Sequence, residues 1–164
     1  MSKTEENLKA AFAGESQANR KYLAFAKKAD EEGFAQIAKL FRAAANAETV
    51  HALSHLKALK GVRSTKENLQ EAIDGETYEF KKMYPEMIKE AEGNQQALIS
   101  FQRANRAEKV HADLYTKALE SAENGKDIEA KDIFVCQVCG FTANEAPDEC
   151  PVCGSLKKMF ERIE

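Results

Sequence analysis

The chain has 164 residues, of which 31% are charged and 43% hydrophobic, and its net charge is −3. This composition predicts an ordinary soluble protein of one domain plus a small appendage. The balanced charge excludes nucleic acid and anionic membranes as partners, and no run of residues nears the ~18 apolar positions of a membrane span. The opening MSKTEENLKA is charged and lacks an apolar signal region, which predicts a cytoplasmic protein. Cysteine and histidine are segregated: all four cysteines fall between 136 and 153, and all three histidines (His51, His55, His111) lie before them. A disulfide framework would spread its cysteines through the fold and would not suit the cytosol.

In chain order, residues 4–124 read as helix, rich in Ala, Leu, Glu and Lys and with apolar residues at three- and four-residue steps. EEGF (31–34) separates a first helix, about 4–31, from a second, about 34–60. In KGVRSTKE (60–67), Gly61 suits a C-terminal cap, and Ser64 with Glu67 forms a capping-box pattern for a third helix. Pro85 should distort that third helix. EGNQ (92–95) precedes a fourth helix, about 95–123. ENGKDIEAKD is polar and contains glycine, and past it the composition changes to cysteine, proline and glycine. The expected organisation is a four-helix domain over 1–124, a linker over 125–132 and a small module over 133–164, too short to stand on an apolar core alone.

The helices repeat as pairs. AETVH (47–51) matches AEKVH (107–111), and Gly14-Glu15 matches Gly75-Glu76. Glu15 precedes Glu48 by 33 residues, and Glu76 precedes Glu108 by 32. Each helix carries a glutamate near the middle of its apolar stripe, as in Ile37, Phe41, Ala44, Glu48, His51, His55 and Leu59. A buried bare carboxylate costs several kcal/mol, and no lysine or arginine lies on these stripes to offset it. Metal cations would. The i, i+3 spacing points Glu48 with His51, and Glu108 with His111, in one direction each.

A glutamate from each of two helices plus Glu-x-x-His from each of the other two is the arrangement of ferritin-like di-iron carboxylate proteins. Here it falls on Glu15, Glu76, Glu48/His51 and Glu108/His111. A lone Glu-x-x-His is usually a solvated pair, but two in matching flanks make a strong signal. Glu79, one turn past Glu76, is either an ordinary surface residue or a seventh ligand gained and lost as the iron charge changes. Glu71 and Glu86 are weaker candidates. His55 reads as packed or as a support to the ligands. Tyr22 and Tyr84 could donate to ligating carboxylates, although buried bundle tyrosines are common.

Cys136-x-x-Cys139-Gly and Cys150-Pro-x-Cys153-Gly form two matched knuckles, a specific pattern for a four-thiolate metal site. Spacing does not separate iron from zinc. Phe134, Phe141 and Phe160 around the knuckles fit a rubredoxin-type single iron, and the alternative is a zinc clip that only folds the tail.

From about residue 5 to its C-terminus the chain resembles the rubrerythrins, which join a ferritin-like di-iron four-helix domain to a short rubredoxin-like domain. The resemblance implies iron ligands at Glu15, Glu48, His51, Glu76, Glu79, Glu108 and His111, and a one-iron site at Cys136, Cys139, Cys150 and Cys153. It further implies that Glu79 holds iron in the diferric state and that His51 takes that iron on reduction, making these two the catalytic switch. The loop between the knuckles is shorter than in free-standing rubredoxins, as is usual for the family. The expected function is a non-haem peroxidase for oxidative stress defence, reducing hydrogen peroxide to water. Electrons would come from an NAD(P)H-dependent rubredoxin reductase or from rubredoxin, through the cysteine iron. The alternative is a ferroxidase or iron-handling protein, which would not need the cysteine iron.

The ferritin-like order makes the second and third helices parallel, so their connection must climb back about 35 Å of helix to the metal level. The short loop spans at most about 18 Å. The expectation is therefore a domain-swapped homodimer in which helices one and two meet helices three and four of the partner. A plain up-down-up-down bundle is the fallback.

Overall fold

The structure, a computed structural model, describes residues 2–164, and its chain divides into two compact units, Met1–Arg63 and Ser64–Glu164. The first unit is a helical hairpin of α1 (Lys3–Glu31) and α2 (Ala35–Ala58). Ser2 and Glu5 close a capping box on the first turn of α1. At the end of α1, Gly33 takes φ +83° and donates to Asp30 O, while Phe34 N–H reaches Ala29 O. That pair of bonds satisfies the last carbonyls and turns the chain back on itself.

The two helices run antiparallel with alanines between them: Ala26, Ala29, Ala38, Ala45 and Ala52 are buried. Small side chains let the backbones approach, and Asn19 Nδ2 crosses the seam to Ala45 O (2.7 Å) and Thr49 Oγ1 (2.8 Å). Larger apolar side chains stay outside: Leu40 is 68% exposed, Val50 62% and Leu53 58%. Among the described residues every buried apolar side chain is an alanine or a cysteine. A chain that buries no leucine, isoleucine or phenylalanine has left most of its hydrophobic driving force unused.

The end of α2 differs from the sequence expectation. The left-handed residue is Lys60 (φ +53°), not Gly61. Lys60 N–H bonds to Lys57 O and Gly61 N–H to Leu56 O, so Gly61 is the residue after the left-handed one. Glycine is needed there for space, because a Cβ would collide with the Leu56 side chain.

The second unit begins with α3 (Thr65–Tyr78), started by the expected capping box: Glu67 N–H donates to Ser64 Oγ, and Ser64 N–H to Glu67 Oε2. Ser64→Ala should lower stability by about 1 kcal/mol in reversible thermal unfolding, the usual value of such a cap. The third helix is not continuous. A π turn, Glu79–Met83, follows α3, and α4 (Tyr84–Glu90) carries Pro85 in its first turn. Proline has no N–H to donate, and its ring crowds the carbonyl four residues back. The wider π turn relieves both by taking in one extra residue. The repeat between the hairpins shows that residue: Glu15 to Tyr22 is seven positions and Glu76 to Tyr84 is eight.

After Asn94, whose side chain caps the helix through Ala97 N–H, α5 (Gln95–Glu123) runs antiparallel to α3 and α4. The remainder is a three-stranded antiparallel sheet of order β2-β1-β3, built from β1 (Ile133–Cys136), β2 (Thr142–Ala143) and β3 (Phe160–Ile163). Phe141 and Phe160 meet edge to face at 6.3 Å behind the knuckles. This sheet module rests on α5. Arg106 Nη1 donates to Val152 O (3.4 Å), and Gly140 lies against Ala107.

Candidate metal centres

Each helical hairpin gathers one carboxylate–histidine group. In the first unit Glu15, Glu48 and His51 bring ligand atoms within 4.8 Å of one another; in the second, Glu76, Glu108 and His111 do the same. The i, i+3 geometry is direct: His51 Nδ1 lies 2.8 Å from Glu48 Oε2, and His111 Nδ1 lies 2.7 Å from Glu108 Oε2. Glu76 Oε2 is 3.7 Å from the same His111 nitrogen. Among the described residues the basic side chains beside Glu48, Glu76 and Glu108 are histidines rather than lysine or arginine.

Without a cation this crowding is unfavourable. Burial raises the Glu76 carboxyl above its ordinary value, and the hydrogen bond and charge of Glu108 raise it further. Burial and the charge of Glu76 do the same to Glu79. A divalent ion replaces this repulsion with attraction and accepts both carboxylate oxygen and imidazole nitrogen, so the donor set fits iron. Tyr84 is pushed up by burial and by the charges of Glu79, Glu108 and Glu76, so its phenol keeps its proton beside the carboxylates.

Glu79 is the first residue of the π turn. Its raised carboxyl, with Glu76 as a cause and His111 acting in the opposite direction, sets it within electrostatic reach of the second group, although it is not one of that group's three converging ligands. His55 joins neither group. Tyr22 packs its ring on Phe25 and Phe41, and Tyr84 packs on Phe101.

The four cysteines form the third centre. Cys136 and Cys150 are buried, Cys139 and Cys153 half-buried, and their ligand atoms converge. Cys136 Sγ is 3.7 Å from Cys153 Sγ, and Cys139 Sγ is 3.5 Å from Cys150 Sγ. Tetrahedral thiolates at about 2.3 Å from a metal stand about 3.8 Å apart, so the cage has the right size. Each knuckle is closed by a left-handed glycine: Gly140 (φ +80°) donates to Cys136 O, and Gly154 (φ +74°) to Cys150 O. Burial pushes the Cys139 and Cys150 thiols up. Burial opposes ionisation of Cys153 as well, but hydrogen bonds from Ser155, together with those from Cys139 and Cys150, outweigh it and bring that thiol down to about 6.

One feature had no signal in the sequence. His111 Nε2, the nitrogen turned away from the carboxylates, lies 3.1 Å from both Gly140 O and Thr142 Oγ1 of the cysteine module. The partners are 29 and 31 residues apart, and neither spacing nor residue type points to the contact.

Residues 6–119 match the rubrerythrin family, and residues 134–161 match the rubrerythrin rubredoxin-like domain. The chain is 36% identical to rubrerythrin-2 of Clostridium acetobutylicum, covering 96% of this chain and 95% of the relative. It is 40% identical to nigerythrin of Nitratidesulfovibrio vulgaris, over 96% of this chain and 85% of that one. The solved structure of fully reduced, all-ferrous nigerythrin superposes with a TM-score of 0.57 at 36% identity, covering 99% of this chain and 88% of that chain. With its helical hairpins, its di-iron carboxylate–histidine site and its rubredoxin-like four-cysteine site, the chain belongs to the rubrerythrin family.

Proposed function

We propose that this di-iron, rubredoxin-type oxidative-stress protein is a peroxidase that reduces hydrogen peroxide to two waters. The observation that carries the reading is the contact of His111 with the cysteine module. One imidazole has Nδ1 among the carboxylates and Nε2 at 3.1 Å from Gly140 O, the residue after Cys139. A ferroxidase has no use for a four-thiolate site placed next to its carboxylates, whereas a peroxidase needs a supply of electrons there. Iron held at the carboxylate–histidine groups would supply two electrons to peroxide, and iron held by the four cysteines would be the source that restores them singly, so that H2O2 + 2 H⁺ + 2 e⁻ gives 2 H2O.

The residues do the rest. Glu15, Glu48, Glu76, Glu108, His51 and His111 hold the charge, and the four cysteines hold the relay site. Glu79 and His51 act as the redox-dependent pair, Glu79 supplying a negative charge when the site is oxidised and His51 a neutral donor when it is reduced. The His51 side chain is 54% exposed and has room to move. Electrons would come from an NAD(P)H-dependent rubredoxin reductase or from rubredoxin, in the cytoplasm. Among the described residues no helix is long and apolar enough to cross a membrane. The domain division proposed with this function is 1–124 for the di-iron domain, 125–132 for the linker and 133–164 for the relay domain.

The working form in this proposal is a domain-swapped homodimer. A di-iron site needs both carboxylate–histidine groups, and each hairpin contributes only one of them. Only six residues separate Ala58 from Thr65, too few to bring parallel second and third helices to one metal level. The exposed Leu40, Val50 and Leu53 show that α2 has apolar surface left to cover.

Anaerobic reduction followed by rapid mixing tests the activity. Peroxide should restore the visible colour of the cysteine iron quickly and dioxygen slowly. A colourless protein, carrying zinc in the knuckles, would remove the electron entry and end the peroxidase assignment.

A further inference from the structure

The two Glu-x-x-His motifs are near copies in sequence but not in their surroundings. His51 has Glu48 as the hydrogen-bond partner of Nδ1, and among the described residues nothing holds its second nitrogen. His111 is held at both. We infer that Thr142, from the cysteine module, is the positioning residue that fixes His111 as the immobile histidine of the pair.

The hydrogen-bond directions can be assigned. Nδ1 of His111 faces Glu108 and Glu76, so it is the nitrogen a bound cation would take, and with a cation there the ring proton is left on Nε2. That N–H meets two acceptors at 3.1 Å, Gly140 O and Thr142 Oγ1. The Thr142 hydroxyl in turn donates to Gly140 O, also at 3.1 Å. Its proton is therefore committed to the carbonyl and a lone pair is left for His111. The three groups close a triangle that accepts one tautomer of the imidazole.

Packing does not fix the ring instead. His111 lines a cavity of ≈ 710 Å³ whose wall is mainly apolar, including Leu69, Leu114, Tyr115 and Val135. Beside such a space a side chain can swing, and hydrogen bonds decide its orientation. The consequence is a linkage: the cysteine module must be folded around its own metal for His111 to be aimed at the carboxylate site. This inference rests on the reading of His111 as an iron ligand.

Thr142→Val keeps the shape of the side chain and removes the hydroxyl, whereas Thr142→Ser keeps the hydroxyl. Both are compared with the full-length protein and with His111→Ala by chelator competition for ferrous iron at the carboxylate site. The visible absorbance of the cysteine iron is followed as a check on the module, and the midpoint potential of the iron pair is measured alongside. Thr142→Val should hold that iron about tenfold less tightly, the size expected for loss of a ligand's outer hydrogen bond, and should shift the potential. Thr142→Ser should stay within about twofold of the parent, and the cysteine-iron colour should persist in both. Parent-like binding in Thr142→Val while His111→Ala loses iron would overturn the role of Thr142 alone. Parent-like binding in His111→Ala would overturn the ligand reading beneath it. Loss of the cysteine-iron colour in Thr142→Val would make Thr142 a structural residue of the module and would also overturn the proposal.

Discussion

Chains carrying Glu48→Ala and chains carrying Glu108→Ala, each inactive alone, should regain about a quarter of the parent peroxide turnover when unfolded and refolded together. Glu48 belongs to the first hairpin and Glu108 to the second. In a swapped dimer each iron pair is built from the first hairpin of one chain and the second hairpin of the other. A mixed dimer then has one site with both lesions and one with none. Random pairing makes half of the dimers mixed, and half of their sites are whole, which is the origin of the quarter. If each chain completed its own site, every site would carry one lesion and nothing would return. Differently tagged chains show whether mixed dimers formed, so co-purification without activity is the outcome that rejects the swap.

Replacing Glu79 by glutamine should lower peroxide turnover by about 10- to 100-fold while both iron centres are retained. Glutamine keeps the volume and removes the negative charge that Glu79 offers. The carboxyl begins the π turn, where burial and the charge of Glu76 already press on it. A residue so placed responds to the charge of its neighbours, which is the property a redox-dependent ligand requires. The measurement is steady-state turnover together with iron content and cysteine-iron absorbance. Turnover equal to the parent would return Glu79 to the ordinary surface glutamates.

The parts read most directly from the sequence are those whose cause is local. The Ser64–Glu67 capping box, the glycine turn at Gly33 and the facing of Glu108 with His111 each involve residues within a few positions. The four cysteines converge on a cage whose two CxxCG turns are each closed locally, by a left-handed glycine that donates to the carbonyl of the first cysteine. Pro85 announced a distortion, but its form, a π turn one residue wide of the repeat and starting at Glu79, came from the balance between the proline ring and the helix around it. Gly61 suits a C-terminal cap, but the left-handed residue there is Lys60, and Gly61 is the position where a Cβ would meet the Leu56 side chain.

The sequence by itself determined the helical hairpins, the donor types and their pairing within a turn, since periodicity, caps and i, i+3 spacing are properties of short segments. The tertiary structure decided which of two near-identical motifs would be anchored. His111 is held by Thr142 and Gly140 while His51 is not, because the contact depends on the cysteine module folding back onto α5. The tertiary structure also decided that, among the described residues, the buried apolar side chains would be alanines and cysteines, leaving Leu40, Val50 and Leu53 uncovered. Both follow from packing between segments distant in sequence, where the free energy is set by the shapes that meet rather than by the residues of either segment alone.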